Sequence, residues 1–314
     1  STILIGTSFS KSNENISDTF DDFQNNRLVI AKRLAALNGD VTGDIDEFGF
    51  PIGFGKNNQS VLIPAFVSAY SGKSPESISL NAISKTPLPS WSISYSGLMN
   101  FDFIKERFKR FSLGHAYRSS YTLNNFKSNL EYNPDNTKLT DDSGNYINEF
   151  LYTNVNLVEQ FNPLLKVDME LNNSLQIVMS LKKDRALSLS LDNNLLTESS
   201  GTDYSIGLGY RIKDLKFTNR VNGKRRVSKG DLNIKTDLNF RDNITIIRNL
   251  NILDNKVTAG QNMWSLKTSA DYNLSKSFNA IFFYDHLFSK FAISTAFPMT
   301  TIRAGMTLRY SFGE

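Results

Sequence analysis

The chain has 314 residues, of which 40% are hydrophobic and 21% charged, and 35 Lys plus Arg against 31 Asp plus Glu leave a net charge of +4. That near-balance gives no support to the concentrated basic face of a nucleic-acid binder, and the absence of cysteine excludes a disulfide framework or a thiolate metal site. No run reaches the roughly 18–20 consecutive apolar residues of a membrane helix.

Mean hydropathy is −0.31, which by itself suggests a chain at home in water. A strand that crosses a membrane, however, needs only every second residue to be apolar. The 12% aromatic content, with 23 Phe and 12 Tyr, suits strands with a greasy outside, a polar inside and aromatic ends.

In chain order, residues 1–11 read as a first strand. Ser1 leads directly into Thr-Ile-Leu-Ile-Gly, without the charged start and cleavage site of an export signal. For an exported protein, the signal has been removed or the chain is a piece of something longer. Residues 12–87 break the strand pattern and read as a partly helical insertion on the external side. Within it, Ser17–Leu37 has helical spacing through Phe20, Phe23, Val29 and Leu34, with Ser17 or Asp18 as cap. Val61–Tyr70 is a second, shorter helix, and Phe48–Gly55 between them mixes aromatics with turn formers. Plain packing that seals a barrel mouth, a pore cap, a fold into the lumen and a cover over a groove all remain open for this segment.

Residues 88–314 alternate with period two, which sends side chains to opposite faces of a strand. Trp91, Ile93 and Tyr95 begin the pattern. Val167, Met169 and Leu171 repeat it, as do Leu187, Leu189 and Leu191, and then Tyr204 to Ile212. Leu232, Ile234, Leu238 and Phe240 oppose Asn233, Lys235, Asp237, Asn239 and Arg241. Trp264, Leu266, Ala270 and Tyr272 oppose Ser265, Lys267, Ser269 and Asp271. In the last segment, 301–313, Ile302, Ala304, Met306, Leu308, Tyr310 and Phe312 oppose Arg303, Thr307 and Arg309. About ten such strands, with aromatics near their ends, favour a membrane barrel over a soluble sandwich. The expected fold is therefore an all-β, antiparallel transmembrane β-barrel.

On this reading Lys235, Asp237, Arg303 and Arg309 face the lumen, while Trp264, Tyr272, Leu238, Leu308, Tyr310 and Phe312 face lipid. With the C-terminus on the periplasmic side, 133–148, 194–202, 254–260 and 288–300 are external loops. The turns at 105–109, 172–174, 222–229 and 274–277 are then periplasmic. Segments 110–131 and 230–250 exceed the roughly 9–11 residues needed to cross a bilayer, so they project beyond it.

No catalytic or cofactor constellation stands out. His115 and His286 are far apart and lack metal-site spacing; His286 near Asp285 and Ser289 has the parts of a hydrolase site but no fixed geometry. Gly207 and Gly209 have no helix after them and so form no phosphate loop. The basic runs 105–110 and 224–226 read as solvated turns or as contacts to lipid phosphate or partner proteins.

Several segments also resemble a known family. F-D-D-F-Q-N-N-R-L-V-I-A-K-R-L-A-A (20–36), G-F-P-I-G-F-G-K-N-N-Q-S-V-L-I-P-A-F (49–66), F-K-R-F-S-L-G-H-A-Y-R-S-S-Y-T (108–122), S-A-D-Y-N-L-S-K (269–276) and F-F-Y-D-H-L-F-S-K-F-A-I-S-T-A-F-P-M-T (282–300) are similar to the C-terminal region of SprA/Sov. That family forms the outer-membrane translocon of the Bacteroidota type IX secretion system and is tied to gliding motility. The resemblance implies a protein-conducting, non-enzymatic outer-membrane channel without cofactors, of which this chain is the last ten or so strands. It further implies that 301–313 is the closing strand of a far larger wall. The implied partners are the remainder of the same barrel chain, a PorV-like barrel, a plug protein, cargo with a C-terminal signal domain, and outer-membrane lipid. The alternatives are a self-contained ten-stranded porin or solute transporter, a membrane hydrolase, and a structural barrel that anchors an adhesion or motility complex.

Overall fold

The computed structural model describes residues 5–39, 43–83, 88–221, 224–252, 254–273, 278–293 and 297–312. Helices come first: α1 (Ile5–Ser8), α2 (Asp18–Leu37) and α3 (Gln59–Ser71). The first long helix starts at the expected cap, and the second starts two residues before the expected Val61, behind a cap that the spacing had not marked. The Ser17 side chain accepts from the Phe20 N–H, and the Asn58 side chain accepts from the Ser60 N–H, each satisfying a donor the helix cannot. Asp18 and Asp21 in the first turn of α2 add favourable charge at the positive end of its dipole. Gly72 ends α3 in the left-handed conformation at φ 63, which costs glycine nothing.

The buried stripe of α2 is Phe20, Phe23, Arg27, Ile30, Ala31 and Ala35. Val29 and Leu34, expected in it, are only half-buried. Arg27 occupies a position that helical spacing from Phe20 and Phe23 would give to an apolar residue. Burial lowers its guanidinium to about 10, so it stays charged at neutral pH and donates to the Lys56 carbonyl at 3.3 Å. α3 is buried around nearly its whole circumference, as a helix packed from both sides must be. Phe23 and Phe66 join the two helices edge to face at 5.9 Å.

The strands follow: β1 (Trp91–Tyr95), β2 (Phe108–Asn124), the short β3 (Lys127–Ser128) and β4 (Phe150–Leu151), β5 (Asn154–Leu171), β6 (Leu175–Ser190), β7 (Leu195–Val221), β8 (Lys224–Asn249), β9 (Asn255–Asn273), β10 (Phe278–Phe291) and β11 (Met299–Tyr310). A one-turn helix, α4 (Asp102–Lys105), lies between β1 and β2. Nine strands make one sheet in the order β1-β2-β5-β6-β7-β8-β9-β10-β11, and every pairing is antiparallel. The fold is all-β, with a helical segment that precedes the sheet among the described residues instead of interrupting it. The sheet is open: β1 and β11 are its edges, and among the described residues they do not pair with each other.

Several expectations are corrected. The described part of 1–11 is not a strand, because Thr7 is held by side chains instead of a ladder. Arg185 donates to the Thr7 carbonyl at 2.8 Å and to its hydroxyl at 2.9 Å, and that hydroxyl donates to the Tyr70 carbonyl. Residues 195–202 and 255–260 belong to β7 and β9 and are not loops. Ser200 pairs with Arg185 on one side and Ile244 on the other; small polar residues suggest a loop by composition, but two flanking ladders bond their backbone and keep them extended. Residues 224–229 are likewise strand. They continue β8 into a two-stranded ribbon with β7, because β6 begins only opposite Tyr210 and β9 pairs no further than Leu232. The last strand ends at Tyr310, not at 313, and 288–291 lies within β10. Strand β2 stops at Asn124, short of 131. The 172–174 turn and the 133–148 loop fall where expected, and the 274–277 turn lies outside the described residues.

The helical cap lies on one face of the sheet, over the β2–β8 strand ends nearest the 133–148 loop. Its core joins Phe20, Phe23, Ile30, Val61 and Phe66 to Val155, Leu157, Leu187, Leu189, Leu196 and Leu250 from the sheet. The 48–55 segment locks the long loop to the cap. Gly53 bridges to Asn145, its N–H bonding the Gly144 carbonyl at 3.0 Å, and Phe54 packs edge to face on Tyr146 at 5.2 Å. At φ 88, a Cβ on Gly53 would lie 2.2 Å from the Tyr146 ring.

Gly53→Ala should therefore lower stability by about 1–3 kcal/mol, the cost of a strained backbone plus a displaced ring. Limited proteolysis should cut the 133–148 loop faster in that variant, whereas Gly144→Ala, with open space around it, should affect only its own turn.

Candidate functional site

Residues directly opposite each other in antiparallel strands share a face, so the registers assign the paired, described side chains of the sheet to one face or the other. One face carries an apolar band. It runs through Ile177, Met179 and Leu181, then Tyr204, Ile206, Leu208 and Tyr210, then Ile234, Leu238 and Phe240. It continues through Trp264 and Leu266, Phe282 and Tyr284, and ends with Ile302, Met306 and Leu308. Most of these side chains are exposed, among them Tyr204, Ile206, Leu208, Leu238, Phe240, Phe282, Ile302, Met306 and Leu308. At roughly 150–250 Å² per aromatic side chain, less for aliphatics and about half of each uncovered, they expose on the order of 1,000 Å². Soluble monomers rarely show more than a few hundred in one patch.

Aromatic rings border the band. Tyr204 and Phe240 lie 6.2 Å apart toward the cap, and Trp264 packs on Phe288 at 6.2 Å. At the opposite border Phe278 meets Tyr310 at 6.4 Å, and Tyr310 meets Phe312 at 4.8 Å. Every residue expected on the apolar side (Trp264, Tyr272, Leu238, Leu308, Tyr310 and Phe312) falls on this face or against it. Tyr272 differs from the rest in being covered. Its hydroxyl donates to the Leu215 carbonyl at 3.1 Å, at the bulge where β7 enters the ribbon.

The other face is polar. Lys235, Asp237, Arg303 and Arg309 all lie on it, as the alternation expects. Asp237, Lys267, Asp285 and Arg303 stand opposite one another across β8 to β11, a row of alternating sign. Arg303 bonds Asp285 at 2.8 Å, and Arg241 pairs with Asp203 at 3.3 Å. Gly201, Gly207 and Gly209 leave room on β7 for neighbouring polar groups, the Asp237 carboxylate reaching 3.0 Å from where a Gly207 Cβ would stand.

The histidines do not build a reactive centre. His115 is on β2 and His286 on β10, six strand spacings apart in the sheet, or about 29 Å. His286 faces the apolar side, while Asp285 and Ser289 face the polar side, Asp285 tied to Arg303 and Ser289 to Gln261. No group of metal-ligating side chains gathers among the described residues, and no described helix is long and apolar enough to cross a membrane.

Between the apolar band and the cap runs a charged belt that the alternation had not singled out. Arg185 and Glu159 are 7% and 1% exposed at their side chains, and Arg248 and Glu198 are 0% and 6%. Charges this deep persist only when paired and hydrogen-bonded. Arg185 Nε reaches Glu159 at 3.0 Å, and the Tyr117 hydroxyl donates to the same carboxylate at 2.9 Å. Arg248 Nε reaches Glu198 at 3.2 Å, and its Nη2 donates to Ser12 Oγ and the Asn13 carbonyl at 2.8 and 2.9 Å. The belt thus ties the N-terminal segment to four strands. Its sequence signal is Lys183 and Arg185 on the same parity as Leu187 and Leu189, charges intruding on the apolar side of β6.

No protein-family model matches the chain, and no curated protein matches it.

Arg248→Met should cost about 3–5 kcal/mol because it strands Glu198 in the interior, and adding Glu198→Met should restore most of the loss. Thermal unfolding of the two variants followed by circular dichroism checks this, and additive losses would mean the pair does not act as a unit.

Proposed function

We propose that residues 88–312 are a section of the wall of an outer-membrane β-barrel. The observation that carries this reading is the two-faced sheet: an uncovered, aromatic-bordered apolar band on one side and a charged lattice on the other. From Tyr204 to Ile212 the band spans eight residue steps on β7, about 27 Å along the strand. A tilt of about 40° brings that to about 21 Å of height, close to the roughly 25 Å apolar belt of outer-membrane barrels. In this wall Leu238, Leu308, Tyr310 and Phe312 meet lipid, while Lys235, Asp237, Arg303 and Arg309 meet water.

The edges support a larger assembly. Strand β11 is exposed along its whole length, and inside a bilayer an unpaired strand edge costs several kcal/mol for each unsatisfied group. Further strands therefore bond to β1 and β11. The SprA/Sov resemblance supplies the matching function: a protein-conducting channel of the type IX secretion system that exports folded cargo and supports gliding motility. The remainder of the barrel chain closes the wall, and a PorV-like barrel, a plug protein and signal-bearing cargo are its partners. The wall itself acts by confinement, with the near-neutral ionic rows of the polar face offering a wet surface without strong affinity for either charge.

The cap end is external in this reading. The helices sit on the band side of the sheet, above the membrane, and so buttress the wall from outside its lumen.

The first test is the mass of the native polypeptide in outer-membrane extract, with peptide mapping. A chain several times heavier than 35.4 kDa, with peptides preceding Ser1, supports the large translocon; a mature chain of about that mass points instead to a small closed barrel. Face assignment has its own test in assembly yield. Leu238→Arg should cost about 2–4 kcal/mol at mid-membrane and cut the yield of folded barrel, whereas Lys235→Ala should leave it unchanged. Equal yields would undo the assignment.

A further inference from the structure

A cavity of about 140 Å³ lies between the N-terminal segment and the wall, lined among others by Ser8, Tyr70, Lys183, Arg185, Glu198 and Thr202. Hydrogen-bonding groups are left unused there. Tyr70 is 1% exposed, yet among the described residues its hydroxyl has no partner, and neither has the buried hydroxyl of Ser8. Leaving such groups dry and unpaired is unfavourable, so the cavity is suited to a polar occupant.

Charge is graded along its wall. At the far end Glu198 is neutralised by Arg248 and also accepts from Ser12 at 2.8 Å. In the middle Arg185 is neutralised by Glu159. At the end nearest the apolar band stands Lys183, opposite Thr202. Its Nζ lies 4.5 Å from the centre of the Phe9 ring, and no carboxylate bridges to it among the described residues. One positive charge is therefore left over, beside hydroxyl groups able to donate.

We propose that this cavity binds a phosphate group, with Lys183 as its charge partner and the hydroxyls of Tyr70, Ser8 and Thr202 as donors. The volume holds one such group with a few waters, each taking about 30 Å³. Burial keeps the Tyr70 phenol far above its ordinary pKa, with Glu198 pushing the same way, so the group remains a donor. The phosphate belongs either to a lipid head group or to free phosphate. The lipid source rests on the membrane reading above: Lys183 is two residues, about 7 Å, beyond Leu181, which pairs with Tyr204 at the border of the band. That is the depth at which head groups begin.

The test compares the full native chain, purified in phosphate-free detergent, with Lys183→Met and Tyr70→Phe. Each is titrated with phosphatidate, with diacylglycerol and with inorganic phosphate, and binding is read by native mass spectrometry and by the shift in unfolding temperature. Saturable, one-to-one phosphatidate binding is expected, weakened at least tenfold by Lys183→Met and several-fold by Tyr70→Phe, with none for diacylglycerol. A Lys183-dependent response to inorganic phosphate alone identifies the free ion as the ligand of the same site. Binding that Lys183→Met leaves unchanged, or no phosphate binding from either source, overturns the proposal. Partition of the chain into vesicles is scored separately. Insertion without Lys183-dependent phosphate binding sinks the cavity and leaves the wall, and phosphate binding without insertion does the reverse. Tyr70→Phe removes a single oxygen, so it reads the cavity even if Lys183→Met perturbs the fold.

Discussion

The structure depends on the continuity of its antiparallel ladders. Because side chains alternate strictly, a slip of one residue in any pairing would move a whole strand's apolar set to the opposite face. Across β6 to β11 no such slip occurs. Leu181, Tyr204, Phe240, Trp264 and Phe288 stand in register, and one apolar border runs through five strands. Where the register does shift, as between Phe161 and Leu165 or between Thr245 and Ile246, the faces are preserved on both sides of the irregularity. The band on one side and the ionic rows on the other are two consequences of this one constraint.

The apolar-side face is used in three ways along the strands. Nearest the β7–β8 ribbon its side chains are uncovered. At the opposite end Val155, Leu157, Leu187 and Leu189 are buried beneath α2 and α3. The charged belt separates these two environments. Its two arginines also pack over aromatic rings of the cap, Arg185 over Tyr70 at 5.6 Å and Arg248 over Phe20 at 5.4 Å. Each guanidinium thus serves an ion pair, the N-terminal segment and a helix together. A buried pair of this kind contributes little net stability compared with an apolar equivalent. Its effect here is positional: Glu159 and Glu198 on neighbouring strands hold the two arginines in place, and the arginines then fix the N-terminal segment through Thr7, Ser12 and Asn13.

Much of the fold was legible because alternation and helix capping are local. The parity of Leu238 against Lys235, and of Leu308 against Arg309, could be read from adjacent residues, and the ladders placed them on opposite faces accordingly. Ser17 before Phe20 marked the start of α2 for the same reason. The errors fell where a segment's state depended on distant neighbours. Residues 195–202 have loop-like composition but are strand because β6 and β8 lie on either side. The short stretch from Ile5 to Ser8 is helical because Arg185 and Tyr70 hold Thr7. The charges of the belt were visible in the sequence, but their partners lie 26 and 50 residues away, beyond the reach of any periodicity.

The sequence by itself determined the class of structure, the location of both long helices and the face on which each alternating residue lies, since all three follow from bond geometry within a few residues. Only the tertiary structure decided that the sheet is open at both edges and that the cap sits on the apolar-band side. It also decided that four buried charges, with the cavity beside them, join cap to wall. These features depend on which strands become neighbours and on what remains unpaired when they do, and chain separation conceals both until the backbone brings the partners together.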